Sequence, residues 1–176
     1  MRIGVYPGTF DPIHFGHMDI ALRATKLFDR VIVAVYDRPY KNLLFDVETR
    51  VALIREALAD HNGAIEVAHY SGLTVDYVKS VGAFAIVRGL RVFSDFELEF
   101  RMAIANRRLA PDIEVVNLIA DEKHLHISSS TVREIASLGG DVSSMVPPNV
   151  CRALKEHFSL LGDDGPGSVD MISLRD

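Results

Sequence analysis

Five short runs rich in β-branched residues recur along this chain: IGVY (3–6), VIVAVY (31–36), AIEVAH (64–69), AFAIV (83–87) and IEVVNLI (113–119). Longer amphipathic segments separate them, and strands alternating with helices predict βα units in series. Several of the runs are apolar at successive positions, the pattern of strands covered on both faces. The predicted fold class is α/β: a doubly wound parallel five-stranded sheet with right-handed crossovers and C-terminal helices. An α+β domain of antiparallel strands is the alternative.

Helical spacing marks residues 16–28 through Ile20, Leu22, Ala24, Leu27 and Phe28. It marks 47–59 through Val47, Val51, Ile54, Ala57 and Leu58, with Asp46 as the N-cap. Val75 and Val78 indicate a short helix, and Phe93, Phe96, Phe100, Ala103 and Ile104 a longer one with an apolar stripe. Two further helices are expected near 131–138 and 147–159, the second with Pro147 and Pro148 in its first turn. A chain of 176 residues favours one domain, placed at 1–161. Residues 162–176 (GDDGPGSVDMISLRD) lack periodicity and are expected to form a poorly ordered tail.

Charge and composition exclude several partners. Lys and Arg number 19 against 24 Asp and Glu, a net charge of −5, so the chain lacks the basic footprint of a nucleic-acid binder. No apolar run approaches the ~18 residues of a membrane span. The N-terminal apolar stretch is broken by Pro7 and Gly8, unlike a signal peptide. The single cysteine, Cys151, rules out an intrachain disulfide framework and suits a reducing, cytoplasmic setting.

In an open parallel sheet, ligands bind beyond the carboxyl ends of the strands. The chemically unusual segments all follow predicted strands: PGTFDPIHFGH (7–17), RPYKN (38–42), SGLT (71–74), RGLR (88–91) and DEKHLHISSS (121–130). One edge of the sheet therefore gathers them. In the first segment, His14 and His17 are three apart, about 60° from each other around a helix axis. Gly16 and His17 fall where the first helix begins, and free amides at a helix start favour an anion. With the Thr9 hydroxyl they make a phosphate-sized donor set. A zinc reading of the pair is weaker, since neither a third ligand at metal spacing nor HExxH is present.

RGLR places two guanidiniums, Arg88 and Arg91, around Gly89 and Leu90, and arginine forks match phosphate oxygens. Lys41 is expected at the same rim. Thr131 and Glu134 have capping-box spacing, so Ser128, Ser129 and Ser130 precede a helix start. Glu99 borders the apolar stripe, within reach of a ribose or an arginine. Absent are GxxxxGK[ST], a GxGxxG after the first strand, and GxSxG. The remaining chemistry is displacement at phosphorus, catalysed by positioning and charge neutralisation without a covalent nucleophile.

YPGTFDPIHFGH (6–17), RPYKNLLF (38–45), RGLRVFSDFELEF (88–100) and HISSSTVREIA (126–136) together resemble the T/HxGH nucleotidyltransferase superfamily. Within it they resemble the phosphopantetheine adenylyltransferase family, across about Arg2 to Phe158. The resemblance implies a Rossmann-like nucleotidyltransferase fold and transfer of the adenylyl group of ATP to 4′-phosphopantetheine, giving dephospho-coenzyme A and pyrophosphate. It implies ATP contacts at Thr9, Phe10, His14, His17, Gly89, Leu90, Arg91, Glu99, His124, Leu125, His126, Ile127, Ser128, Ser129 and Ser130. Acceptor contacts would be Thr9, Lys41, Thr74 and Arg88, with His17, Lys41 and Arg91 catalytic. Mg²⁺ as cofactor and a homohexamer are implied, with no protein metal ligand. Leu98 and Ser137 depart from the family pattern, as does the tail after Gly162. Two rivals remain: a nucleotidyltransferase for nicotinamide mononucleotide or a phospho-sugar alcohol, and a non-catalytic adenine-nucleotide sensor.

Overall fold

A computed structural model describes residues 1–39, 42–61 and 63–162, with side chains described through 160. The elements run β1 (Ile3–Gly8), α1 (Phe15–Ala24), β2 (Arg30–Tyr36), α2 (Val47–Ala57), β3 (Ile65–Tyr70), α3 (Thr74–Ser80) and β4 (Ala85–Leu90). They continue with α4 (Phe93–Leu109), β5 (Glu114–Ile119), α5 (Ser129–Ser137) and α6 (Pro148–Gly162). Single 3₁₀ turns lie at Ala59–His61 and Glu122–His124.

The five strands form one sheet in the order β3-β2-β1-β4-β5, and every pairing is parallel. The doubly wound prediction holds, and the antiparallel alternative falls. Side chains on β2 alternate between two apolar layers. Val31, Val33 and Val35 join Ile20, Ile54, Val132 and Leu154 from α1, α2, α5 and α6. Ile32 and Ala34 join Val75 and Val78 of α3 with Ala110 and Ile113 after α4. Each fully buried Val or Ile contributes about 1.5–3 kcal/mol, and β2 supplies them to both faces.

Several boundaries differ from the sequence reading. β1 and β4 extend through Pro7–Gly8 and Gly89–Leu90, because backbone pairing with β2 and β5 continues past the β-branched runs. α1 begins at Phe15 and ends at Ala24, and Leu27 is exposed. α5 starts at Ser129, two residues before the expected place, and Ser128 caps it through an Oγ that accepts from the Thr131 amide at 3.1 Å. The Thr131–Glu134 capping box is therefore not formed; a serine one turn earlier occupies that role. Asp46 caps α2 as expected, accepting from the Thr49 amide at 2.8 Å.

The apolar stripe of α4 differs most. Phe93, Phe96, Phe100 and Ile104 are exposed, Phe93 by 86%, and the one buried residue of this 17-residue helix is Glu99. The stripe does not pack into this domain's core. The expected tail overlaps the fold only at Gly162, which ends α6; residues 163–176 lie outside the described residues.

Candidate active site

The strand order reverses between β1 and β4, which is where an open α/β sheet binds its ligand. These two strands are in register only at Gly4–Ala85 and Val5–Ile86, and past those pairs they part. Arg88 enters the split. Its Nη1 donates to the Pro7 carbonyl at 2.9 Å, and its Nε donates to Glu99 at 2.7 Å, with Nη2 on the second Glu99 oxygen. Burial alone would lower the Arg88 pKa, but the hydrogen bonds and charge of Glu99 raise it above the ordinary value. Both Glu99 oxygens are thus engaged by an arginine, one of the two partners the sequence allowed.

The loop from Thr9 to His14 is shaped by its own rings. Phe10 is buried in the left-handed region at φ 51°, a conformation that costs about 1–3 kcal/mol and recurs at functional sites. Its ring lies over Gly8, where a Cβ would come within 2.8 Å, and meets His17 edge-on with centroids 5.0 Å apart. His14 is not on α1 but caps it: Nδ1 accepts from the His17 amide at 3.3 Å, and the two rings stack at 3.6 Å. The interposed glycine follows from this stacking, since a Cβ on Gly16 would meet the His14 ring at 3.1 Å. His14 is 3% exposed, and burial, helped by the charges of Arg91 and His124, lowers its pKa to about 3. The neutral imidazole can then accept at Nδ1 with its proton on Nε2.

Arg91 ties the next segment in. Its Nε and backbone amide donate to Asp95, and its Nη1 donates to the Ile127 carbonyl at 2.9 Å. Ser129 donates to the Pro12 carbonyl at 2.9 Å, so the start of α5 rests on the first loop. His124 packs against Phe15 and Gly16, while Leu125, His126 and Ser130 are exposed. Gly89 and Leu90 are half-buried at the end of β4, Gly89 facing Ile20. Thr74 opens α3, where its hydroxyl hydrogen-bonds Tyr70 at 2.8 Å, and the Arg88 charge acts on both Tyr70 and Tyr6. Lys41 lies outside the described residues.

The edge therefore gathers two helix starts, two arginines and a stacked histidine pair around one split in the sheet. Sequence reasoning missed three side chains that hold it: Asp11, Arg50 and Arg133. Asp11 is buried and accepts from the amides of Leu44 and Phe45 and from Arg133 Nη1 at 2.7 Å. A fourth, Asp95, stands four residues after Arg91, a spacing that could have signalled their pairing. A groove of about 360 Å³ lined by Val146, Pro148, Cys151 and Lys155 contains none of the expected site residues.

This fold and edge define a nucleotidyltransferase, and residues 5–135 match the cytidylyltransferase-like family model. A solved structure described as a candidate nicotinate-nucleotide adenylyltransferase from Vibrio parahaemolyticus superposes with a TM-score of 0.64 at 19% identity. It covers 88% of this chain and 99% of that one, and shows the shared fold. The phosphopantetheine adenylyltransferase of Roseiflexus sp. (strain RS-1) is 58% identical over 158 residues, 90% of this chain and 98% of that protein. Those of Chloroflexus aggregans and Alkalilimnicola ehrlichii are 54% and 50% identical, covering 92% and 94% of this chain and 100% and 95% of theirs. The chain belongs to the phosphopantetheine adenylyltransferase family.

Proposed function

We propose that the protein transfers the adenylyl group of ATP to 4′-phosphopantetheine, releasing pyrophosphate and forming dephospho-coenzyme A. The observation that carries this reading is the parting of β1 and β4 with His17, Arg88, Arg91 and the start of α5 converging on it. Relatives named for this activity, 50–58% identical, support the choice of acceptor.

The reaction is in-line attack by the acceptor phosphate on the α-phosphorus. It needs both reactants held in line and the charge on the leaving pyrophosphate neutralised. His17, at the start of α1, donates to the α-phosphate as charge develops, and its ring is held by the His14 stack. Arg91 and Ser128–Ser130 take the β- and γ-phosphates, where a helix start adds oriented amides. Arg88 and Lys41 anchor the acceptor phosphate, Thr74 lies on the acceptor side, and Thr9 bridges the two substrates. Phe10, Gly89, Leu90 and the loop 124–127 border the nucleotide.

Mg²⁺ is expected with the triphosphate. Among the described residues no group of three or more His, Cys, Asp or Glu is placed to hold a metal. The hydroxyl-rich start of α5 suits an ion bound chiefly through nucleotide oxygens and water. When bound, the ion neutralises phosphate charge.

The exposed apolar face of α4 supports self-association, since contiguous apolar patches of this kind mark interfaces. A homohexamer is the assembly we expect. No helix among the described residues is long and apolar enough to cross a membrane. The single buried thiol suits a cytoplasmic enzyme. Incubation with ATP, Mg²⁺ and phosphopantetheine, with product mass read directly, tests the reading. Dephospho-coenzyme A and pyrophosphate are expected. Turnover only with nicotinamide mononucleotide or a phospho-sugar alcohol, or ATP binding without pyrophosphate, would overturn it.

A further inference from the structure

We infer that Arg50 is a positioning residue for the acceptor side of the site, an inference that rests on the adenylyl-transfer reading above. Arg50 lies in the first turns of α2, and helical side chains lean back toward the helix start. Its guanidinium therefore falls across the entry to α2, where Nε donates to the carbonyls of Phe45 at 3.1 Å and Asp46 at 3.3 Å. Nη1 donates to the carbonyls of Thr9 at 2.8 Å and Tyr36 at 2.9 Å, and Nη2 to that of Asp37 at 3.2 Å. One side chain thus gathers five carbonyls from three separate segments.

Arg50 is fully buried, and no carboxylate lies within ion-pair distance of it among the described residues. Burial pushes its pKa down, opposed by the more distant charges of Asp11, Asp37, Asp46 and Glu48. Burying a cation without a carboxylate partner is costly, and here the five carbonyl acceptors offset that cost. What the planar five-donor fork supplies is a fixed relation between backbone segments, which the three donors of a lysine do not reproduce.

The segments so fixed are those that flank the acceptor contacts. Thr9 is held from below through its carbonyl. Tyr36 and Asp37 precede Lys41, and Phe45 and Asp46 follow it. Asp11 pins the same flank from the other side by accepting from the Leu44 and Phe45 amides at 2.7 and 3.0 Å. Thr9 is shared by the two substrates, whereas Arg91, His17 and the Ser128–Ser130 start of α5, assigned to ATP alone, accept no hydrogen bond from Arg50. Loosening this clasp should therefore be felt by the acceptor before the nucleotide.

The test is steady-state kinetics and ATP calorimetry on the full chain carrying Arg50→Lys or Arg50→Gln, with wild type in parallel. A misplacement near 1 Å costs up to a hundredfold, so the expected result is a KM for phosphopantetheine raised about tenfold or more while the ATP Kd stays within about threefold. Arg50→Lys should not restore the wild-type KM. Folded variants with both constants unchanged, or with both weakened equally, would overturn the inference. So would loss of folding in both variants, which would make the clasp structural only. Wild type that forms no dephospho-coenzyme A refutes the reaction reading itself; active wild type with unaltered variants refutes the role of Arg50 alone.

Discussion

His14 makes the stability of this protein depend on pH in a window where its carboxylates do not. In the unfolded chain the imidazole takes its ordinary value of 6.5, and in the fold burial lowers it to about 3. Between those values the unfolded chain binds a proton that the folded chain excludes. Stability is therefore full above 6.5 and falls as the pH drops through the window. Asp29, Asp46, Asp121 and Asp141, lowered from 3.8 by hydrogen bonds, act only below that value. Linkage gives a loss of about 2 kcal/mol from His14 between pH 8 and pH 5. The variant to compare is His14→Asn: asparagine is a favoured N-cap whose oxygen can accept from the amide of residue 17, and it does not titrate. With an m value of about 2 kcal/mol/M, the wild-type urea midpoint should drop about 1 M further than that of the variant over this range. Parallel pH profiles for the two proteins would refute the placement of a neutral, buried His14.

Three further outcomes follow from the geometry. His17→Ala should lose about 10²–10³ in kcat while ATP binding by calorimetry persists, as for removal of one transition-state donor; near-normal turnover would contradict its role. Glu99→Gln removes the charge facing Arg88; a charge-assisted bond is worth about 1.5–3 kcal/mol, so thermal melts should fall roughly 3–12 °C, with a raised acceptor KM, and unchanged values would contradict the pairing. Phe100→Asp with Ile104→Asp should give a smaller species by light scattering, and a wild-type monomer would contradict self-association through α4.

The alternation of β-branched runs and amphipathic stretches made the sheet legible, because strands buried on both faces leave an apolar signature that helices do not. The candidate phosphate-binding segments were legible for a related reason: histidine, arginine and serine beside glycine are unusual at strand ends. Their mutual geometry was not. His14 looked like a helical neighbour of His17, yet it became the cap that stacks on it, because Gly16 lets the backbone pass beneath its ring. The α4 stripe had the spacing of a core face, and periodicity cannot tell an intramolecular core from a surface awaiting another molecule. Arg50 and Asp11 carried no signal in the sequence; their long-range partners lie 13 to 122 residues distant, which no local pattern encodes.

The central claim is that placement of phosphates at the sheet split, without an attacking side chain, performs the transfer. The configuration at phosphorus reports it. ATP carrying a single-configuration phosphorothioate at the α-position is turned over with phosphopantetheine, and the product's stereochemistry is read. Inversion, the result of one in-line displacement, is the outcome this account predicts. Retention would require two displacements through a covalent enzyme adduct, and it would contradict the account.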